Sequence, residues 1–395
     1  MRLATPLVNL VALAIVAAAV LSGCNAGYIA HGAYEEARLL WHRRPIHDEL
    51  AKNDLAADQR DRLETVLKVR EFARDKLGLT VGGAYQTITE VDESAVVHVV
   101  MAAPRDSLHP YTWWFPVVGY VPYRGYFDES DALAESAALE ADGFDTMVRP
   151  AIAFSSLGFF DDPLLSNLVK LDRVELAGVL IHELFHRTYF LASDIMFDES
   201  AANYIGSRGA IEFFAATEGE SSPDIAAARA ILKSDLEFSR FLEKEEARLL
   251  GIYMSGASKE EILKRREAAF AAIKSDYAAL APTLSGLERF DLDKEPINNA
   301  VLINYLIYFH DLDNFAALER INHGDLRATI EQIIALAKAH PEDPFYAIWQ
   351  VTRAAPPPAP NATPPPASSA AAGSQNLRIA AAIAAASSSS LPPKK

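Results

Sequence analysis

The sequence predicts an α+β fold: a small mixed sheet beside one motif-bearing helix, with a large helical part C-terminal to it. Three observations carry that prediction. Runs rich in β-branched and aromatic residues, cut by prolines, are confined to about 86–156. Helical spacing of apolar residues fills 29–79 and most of 200–339. Between them, Val179-Leu180-Ile181-His182-Glu183-Leu184-Phe185-His186 places two imidazoles and a carboxylate within one and a half helical turns.

Composition bounds the possibilities. The chain has 395 residues, 50% hydrophobic and 23% charged, which suits one large globular domain or two modest ones. Its net charge of −16 argues against nucleic acid as a partner. Neither a Gly-x-Ser-x-Gly elbow nor a phosphate-binding glycine loop at a strand-to-helix junction is found.

In chain order, residues 1–23 carry one early charge, Arg2, then an apolar run of twelve residues from Leu10 to Leu21. That run is too short for a comfortable membrane span and suits a signal-peptide core. Its ending, Leu21-Ser22-Gly23-Cys24, resembles a bacterial lipobox, which implies cleavage before Cys24 and lipid attachment there. Acyl chains contribute about 0.8 kcal/mol per buried CH₂, enough for stable membrane anchoring through Cys24. An uncleaved anchor helix is the alternative, and either version puts the remainder outside the cytoplasm. Asn25, where an Asp would act as an inner-membrane retention signal in Gram-negative lipoproteins, implies an outer-membrane position facing the periplasm. Cys24 is the only cysteine, so no intramolecular disulfide and no zinc finger can form.

Over 29–79, Tyr34, Ala37, Leu40 and Trp41 share one helical face, and Leu63, Val66, Leu67, Val69 and Phe72 form another before Gly78. Arg43-Arg44-Pro45 separates the two. Strands are expected at 95–101, 112–118 and 146–154, with a helix over 130–141 capped by Ser130 and stopped by Gly143. Asp162-Pro163 reads as an N-cap followed by proline at the first helical position.

Val174, Leu176, Leu180, Leu184 and Phe185 recur at helical spacing through the motif. Positions i and i+4 share a helix face, so His182 and His186 can reach one metal ion with Glu183 beside them. Two histidines on an apolar helix are costly to bury for packing alone, and a metal supplies a partner for one ring nitrogen of each. Catalytic zinc usually keeps three protein ligands and leaves a place for water. Glu199, separated from His186 by twelve residues and on the first turns of the next helix, is the candidate third ligand. Further helices are expected at 200–217, 225–250, 259–280, 297–310 and 324–339. From Ala354 the composition collapses into Pro, Ala and Ser and cannot support a packed core.

The His182, His186, Glu199 arrangement resembles the gluzincin clan of metallopeptidases. Several stretches together are similar to one family, the bacterial aminopeptidases of zincin type that carry lipoprotein signals. The matching segments are Phe115-Pro116-Val117-Val118-Gly119, Pro122-Tyr123-Arg124-Gly125-Tyr126-Phe127, Leu157-Gly158-Phe159-Phe160-Asp161-Asp162-Pro163, the motif itself, Phe197-Asp198-Glu199-Ser200 and Asn298-Asn299-Ala300. The resemblance implies a zincin-like core, with 151–156 as a strand that pairs with an extended peptide substrate. It implies hydrolysis of a peptide bond, with zinc as cofactor and Glu183 as general base. Trp114 and Tyr120 stand where the family commonly carries a cysteine pair, and Asp198 where it carries Asn, a change expected to act on Glu199.

Arg124, Tyr126 and Tyr308 are the candidates for steadying the oxyanion. Tyr123-Arg124-Gly125-Tyr126 is equally compatible with an ordinary turn, and Tyr308 with a core position. The expected organisation is a signal peptide over 1–23, a helical segment over 24–85, a catalytic core over 86–209, a helical part over 210–353 and a disordered tail over 354–395. A non-catalytic envelope lipoprotein that binds peptides or peptidoglycan stems is the alternative function, and it would not need Glu183.

Overall fold

The computed structural model describes residues 34, 37–91, 97–115, 119–151, 161–191, 193–286, 290, 292 and 296–354. Residues 1–23 and Cys24, the strand expected at 152–156, the family segment 157–160 and the tail beyond 354 lie outside them.

The first part contains β1 (Arg44–Pro45), α1 (Ile46–Leu50), α2 (Ala57–Phe72) and β2 (Thr87–Thr89). Leu63, Val66, Val69 and Phe72 form the buried stripe of α2, and a π-helical turn over Ala73–Leu77 ends at Gly78, whose φ of 74° favours glycine. The β-rich region follows as β3 (Val97–Pro104), β4 (Trp113–Phe115), β5 (Gly119–Val121), β6 (Tyr123–Tyr126), α3 (Glu129–Ala141), β7 (Phe144–Ala151) and β8 (Leu164–Leu165). Then come the motif helix α4 (Arg173–Thr188) and α5 (Ile195–Glu218). The helical remainder is α6 (Pro223–Tyr253), α7 (Lys259–Leu280), α8 (Asn299–Phe309), α9 (Leu312–Ile321), α10 (Leu326–Ala339) and α11 (Pro344–Ala354).

The α+β class holds, with mostly helices and, among the described residues, three small sheets. β3 is central to an antiparallel sheet of order β6-β3-β7, and the mixed sheet is β1-β2-β8, in which β2 runs parallel to β8. Of the strand expected at 112–118, Trp113–Phe115 forms β4, which pairs antiparallel with β5, and 116–118 lie outside the described residues. Trp114 and Tyr120 are direct cross-strand partners, both more than half exposed. The 123–126 stretch is a strand and not a turn.

Three further corrections concern boundaries. Asp162-Pro163 does not open a helix; Leu164 and Leu165 are buried and join β2, and Asp162 O accepts from Tyr85 N at 2.8 Å. The helix at 130–141 starts one residue early, with Asp128 and not Ser130 at its N-cap. Among the described residues the core is continuous across the limits expected at 85/86 and 209/210. One hydrophobic core runs from Ile46 to Ile348, β1 pairs with β2 across the first boundary, and α5 runs through the second. A smaller core of Val100, Ala102, Trp113, Val121, Tyr126, Ala132 and Leu139 fills the opposite face of the β6-β3-β7 sheet, under α3. That sheet therefore has two buried faces, and strand parity decides which residues meet α8 and which meet α3.

Candidate metal centre

The motif helix is fixed at its start by Asp172, whose carboxylate accepts from Val174 N at 2.8 Å and Glu175 N at 2.9 Å. Buried Leu176, Leu180, Ile181, Leu184 and Phe185 seat it in the core. Its nearest neighbour is α5, and the two backbones touch at glycines. A Cβ added at Gly206 would lie 2.6 Å from the Gly178 carbonyl and 3.3 Å from His182 Cβ, whereas one added at Gly178 would meet nothing closer than 3.8 Å. Gly206→Ala is therefore expected to force α4 and α5 apart, costing about 1–3 kcal/mol and weakening the metal site between them. Gly178→Ala should be neutral or stabilising by up to about 1 kcal/mol. Denaturant melts of the two variants check this asymmetry.

The N-cap of α5 is Asp194, which accepts from Phe197 N at 3.0 Å. Burial pushes its carboxyl up to about 7 against the usual 3.8, with the Asp198 and Asp343 carboxylates adding to the rise and the Phe197 N–H and His310 opposing it. The folded state thus holds this proton more tightly than the unfolded chain. Its contribution to stability is complete below about pH 4 and is lost as pH rises through about 7. Asp194→Asn keeps a capping oxygen without the charge. Melting temperatures should then gain more at pH 8 than at pH 5; an equal shift at both would contradict the account.

At the centre, His182 Nε2 and His186 Nε2 lie 3.0 Å apart, and Glu199 Oε2 is 3.1 Å from the first and 3.3 Å from the second. The predicted third residue thus converges with the motif pair. His186 and Glu199 are fully buried and His182 nearly so. His186 Nδ1 faces Asp198 Oδ2 at 3.1 Å, and Asp198 Oδ1 accepts from Leu191 N at 3.1 Å. Asp198 therefore orients His186 and not Glu199, contrary to the sequence expectation; the α5 helix turns adjacent residues 198 and 199 about 100° apart. Truncation by Asp198→Ala is expected to lower zinc affinity about 10–100-fold, measured by chelator competition.

The electrostatics are those of a coupled buried cluster. Burial works against the Glu199 anion, but His186 and hydrogen bonds from His182 and His186 hold its carboxyl below the usual range. Burial likewise disfavours charge on His186, yet Glu199 and Asp198 raise it well above an ordinary histidine. Glu183 is buried, with one carboxylate oxygen lacking a hydrogen-bond partner among the described residues. Burial raises its carboxyl, partly offset by His182 and His186.

This donor set fits a divalent cation such as zinc. With Nδ1 of His186 taken by Asp198, its Nε2 shares a point of convergence with a second imidazole nitrogen and a carboxylate oxygen. Two nitrogens and an oxygen aimed at one point match zinc's preferred ligands, and a shared cation relieves the repulsion between their lone pairs.

Tyr308 joins the cluster: its half-buried ring stacks with that of His182 at 6.4 Å between centroids. The end of α8 is tied to α5 near Glu199, since Ser200 Oγ donates to Ile307 O and accepts from His310 N, both at 3.0 Å, and Asn203 Nδ2 donates to Tyr308 O at 3.1 Å. Arg124 and Tyr126 are not brought to the cluster. Arg124 lies against Glu135 of α3 at 3.6 Å and over the Tyr126 ring at 5.3 Å, and Tyr126 belongs to the smaller core. The physical reason is parity: Tyr123 and Gly125 lie on the main-core face that packs on α8, so 124 and 126 must face α3.

Sequence reasoning missed Arg149 and Asn304, and it weighed Tyr123 only as part of the 123–126 stretch. Arg149 Nε donates to Asn304 Oδ1 at 2.6 Å and Nη2 to Tyr308 Oη at 3.3 Å. The available signal was alternation along 144–151, in which Met147 faces the main core and Val148 the smaller one, so that Arg149 falls on the main-core side, against α8.

The sequence model of a family described as "putative aminopeptidase" matches residues 27–345. No match is found among curated proteins or among solved structures.

Proposed function

The chain belongs to that aminopeptidase family, and on that premise we propose that it is a zinc-dependent peptidase of the HExxH gluzincin type, acting on peptides in the bacterial cell envelope. The observation that carries the proposal is the convergence of His182 Nε2, His186 Nε2 and Glu199 Oε2 beside a buried Glu183 oxygen that has no hydrogen-bond partner among the described residues. His182, His186 and Glu199 would hold the ion. Zinc bound by such a set supplies a Lewis acid that polarises a carbonyl and brings the pKa of water toward about 7.

The chain's own residues do the remainder. Glu183, with its carboxyl raised by burial and its free oxygen, takes the proton of the attacking water and passes it to the departing amine. Asp198 holds the His186 ring in one orientation while this occurs. Burial keeps the Tyr308 phenol protonated far above neutral pH, so its hydroxyl is available as a donor to the tetrahedral oxyanion. Anchoring through lipidated Cys24 at the periplasmic face of the outer membrane is part of the same proposal, resting on the lipobox and Asn25.

Profiling of purified, zinc-loaded protein on a peptide library tests this function. Cleavage that stops with chelator and returns with zinc is expected; cleavage indifferent to chelator, or none at full zinc loading, would contradict it.

A further inference from the structure

Arg149 and Tyr123 lie on one face of the β6-β3-β7 sheet. Val99 pairs with Arg149 and Met101 with Tyr123, and Val99 and Met101 both turn into the main core, on the side that packs against α8. Arg149 is held most closely at its Nε edge, and its guanidinium lies over the Tyr308 ring at 5.8 Å. Its Nε donates to Asn304 at 2.6 Å, while its terminal nitrogens make longer contacts, Nη2 to Tyr308 Oη at 3.3 Å and Nη1 to Pro150 O at 3.5 Å, the last at the exposed surface. Asn304 and Tyr308 are neutral, and among the described residues Arg149 has no carboxylate partner. A partly buried guanidinium without a counter-ion is costly unless something supplies one.

The second observation is Tyr123. It is 6% exposed, and its hydroxyl has no hydrogen-bond partner among the described residues. A buried phenol usually finds one, and a bound ligand would provide it. Arg149 is one phenol ring from the triad, since Tyr308 contacts its Nη2 and stacks on His182.

We propose that Arg149 determines substrate class by receiving a carboxylate of the peptide on its Nη1–Nη2 edge, so that the favoured substrates carry an acid group close to the cleaved bond. The inference rests on the peptidase function proposed above. A planar fork held closely by its Nε, with only longer contacts to neutral oxygens at its far end, is the geometry that takes a carboxylate with two hydrogen bonds. The acid group has two sources, the C-terminal carboxylate of a short peptide or an Asp or Glu side chain.

The test uses zinc-loaded Glu183→Gln protein, which removes turnover, titrated calorimetrically with Ala-Ala-Ala, its C-terminal amide, and the amide of Ala-Asp-Ala. At least one of the two acid-bearing peptides should bind about tenfold or more tighter than the plain amide, and which one does so identifies the source. Adding Arg149→Met should bring all three within about twofold, and Arg149→Lys should restore part of the difference, since it keeps charge without the fork. Zinc content and far-ultraviolet circular dichroism of both variants verify the fold. Equal binding of acids and amide overturns the inference, as does discrimination that survives Arg149→Met. If Arg149 only positions Tyr308, the Met variant weakens all three peptides alike, which also overturns it. Failure of all three to bind overturns the peptidase function together with the inference.

Discussion

Glu183→Gln is expected to lower kcat by about two to four orders of magnitude while zinc content stays at the parent level. Gln has nearly the same volume and hydrogen-bonding reach, so the loss isolates proton transfer. Glu183 lies outside the converging triad, and its free oxygen makes no hydrogen bond among the described residues. No ligand or structural bond is therefore removed. The folded site raises this carboxyl through burial, so the ionised form costs stability that rises with pH once the carboxylate forms. Replacing it with a neutral amide should leave the fold as stable as the parent or more so at pH 7, a trade of function against stability seen at many active sites. A non-catalytic peptide-binding lipoprotein would lose nothing measurable.

The second large effect concerns Glu199. Glu199→Ala deletes one of three converging donors and leaves the two imidazole nitrogens, 3.0 Å apart, without the carboxylate that accompanies them. Zinc binding should weaken by several orders of magnitude and turnover should vanish with it. The same geometry sets the pH response of the parent. Without metal, His186 stays protonated well above the usual histidine range because Glu199 and Asp198 outweigh its burial. Zinc must displace that proton, so affinity should fall as pH drops and binding should release protons to the buffer. Calorimetry in two buffers of different ionisation heat measures that release.

Much of this architecture was legible from residue patterns, and the failures have identifiable causes. The motif helix and the helices at 225–250 and 259–280 appear close to their predicted bounds because their apolar stripes are long and uninterrupted. The α9 and α11 helices went unseen, since each is only 10 or 11 residues long, and a short stripe carries little signal. The His182, His186 and Glu199 convergence could be anticipated from helical spacing, but the helix contact that permits it depends on Gly206 meeting the Gly178 carbonyl, which no periodicity reveals.

Local pattern also misjudged the cation. Arg124 looked suitable because it lies between two tyrosines, yet a one-residue parity difference sends it to Glu135, while Arg149, distant in sequence from Tyr308, reaches the cluster. Side-chain alternation was available in the sequence; which face of the sheet meets α8 and its Tyr308 was not.

Zinc content of purified, metal-loaded protein, compared across the parent, Glu183→Gln and Glu199→Ala by elemental mass spectrometry, bears on the central claim most directly. About one zinc per chain is expected in the parent and in Glu183→Gln, with only traces in Glu199→Ala after dialysis. A parent that retains no zinc, or a Glu199→Ala variant that retains as much as the parent, would contradict the account.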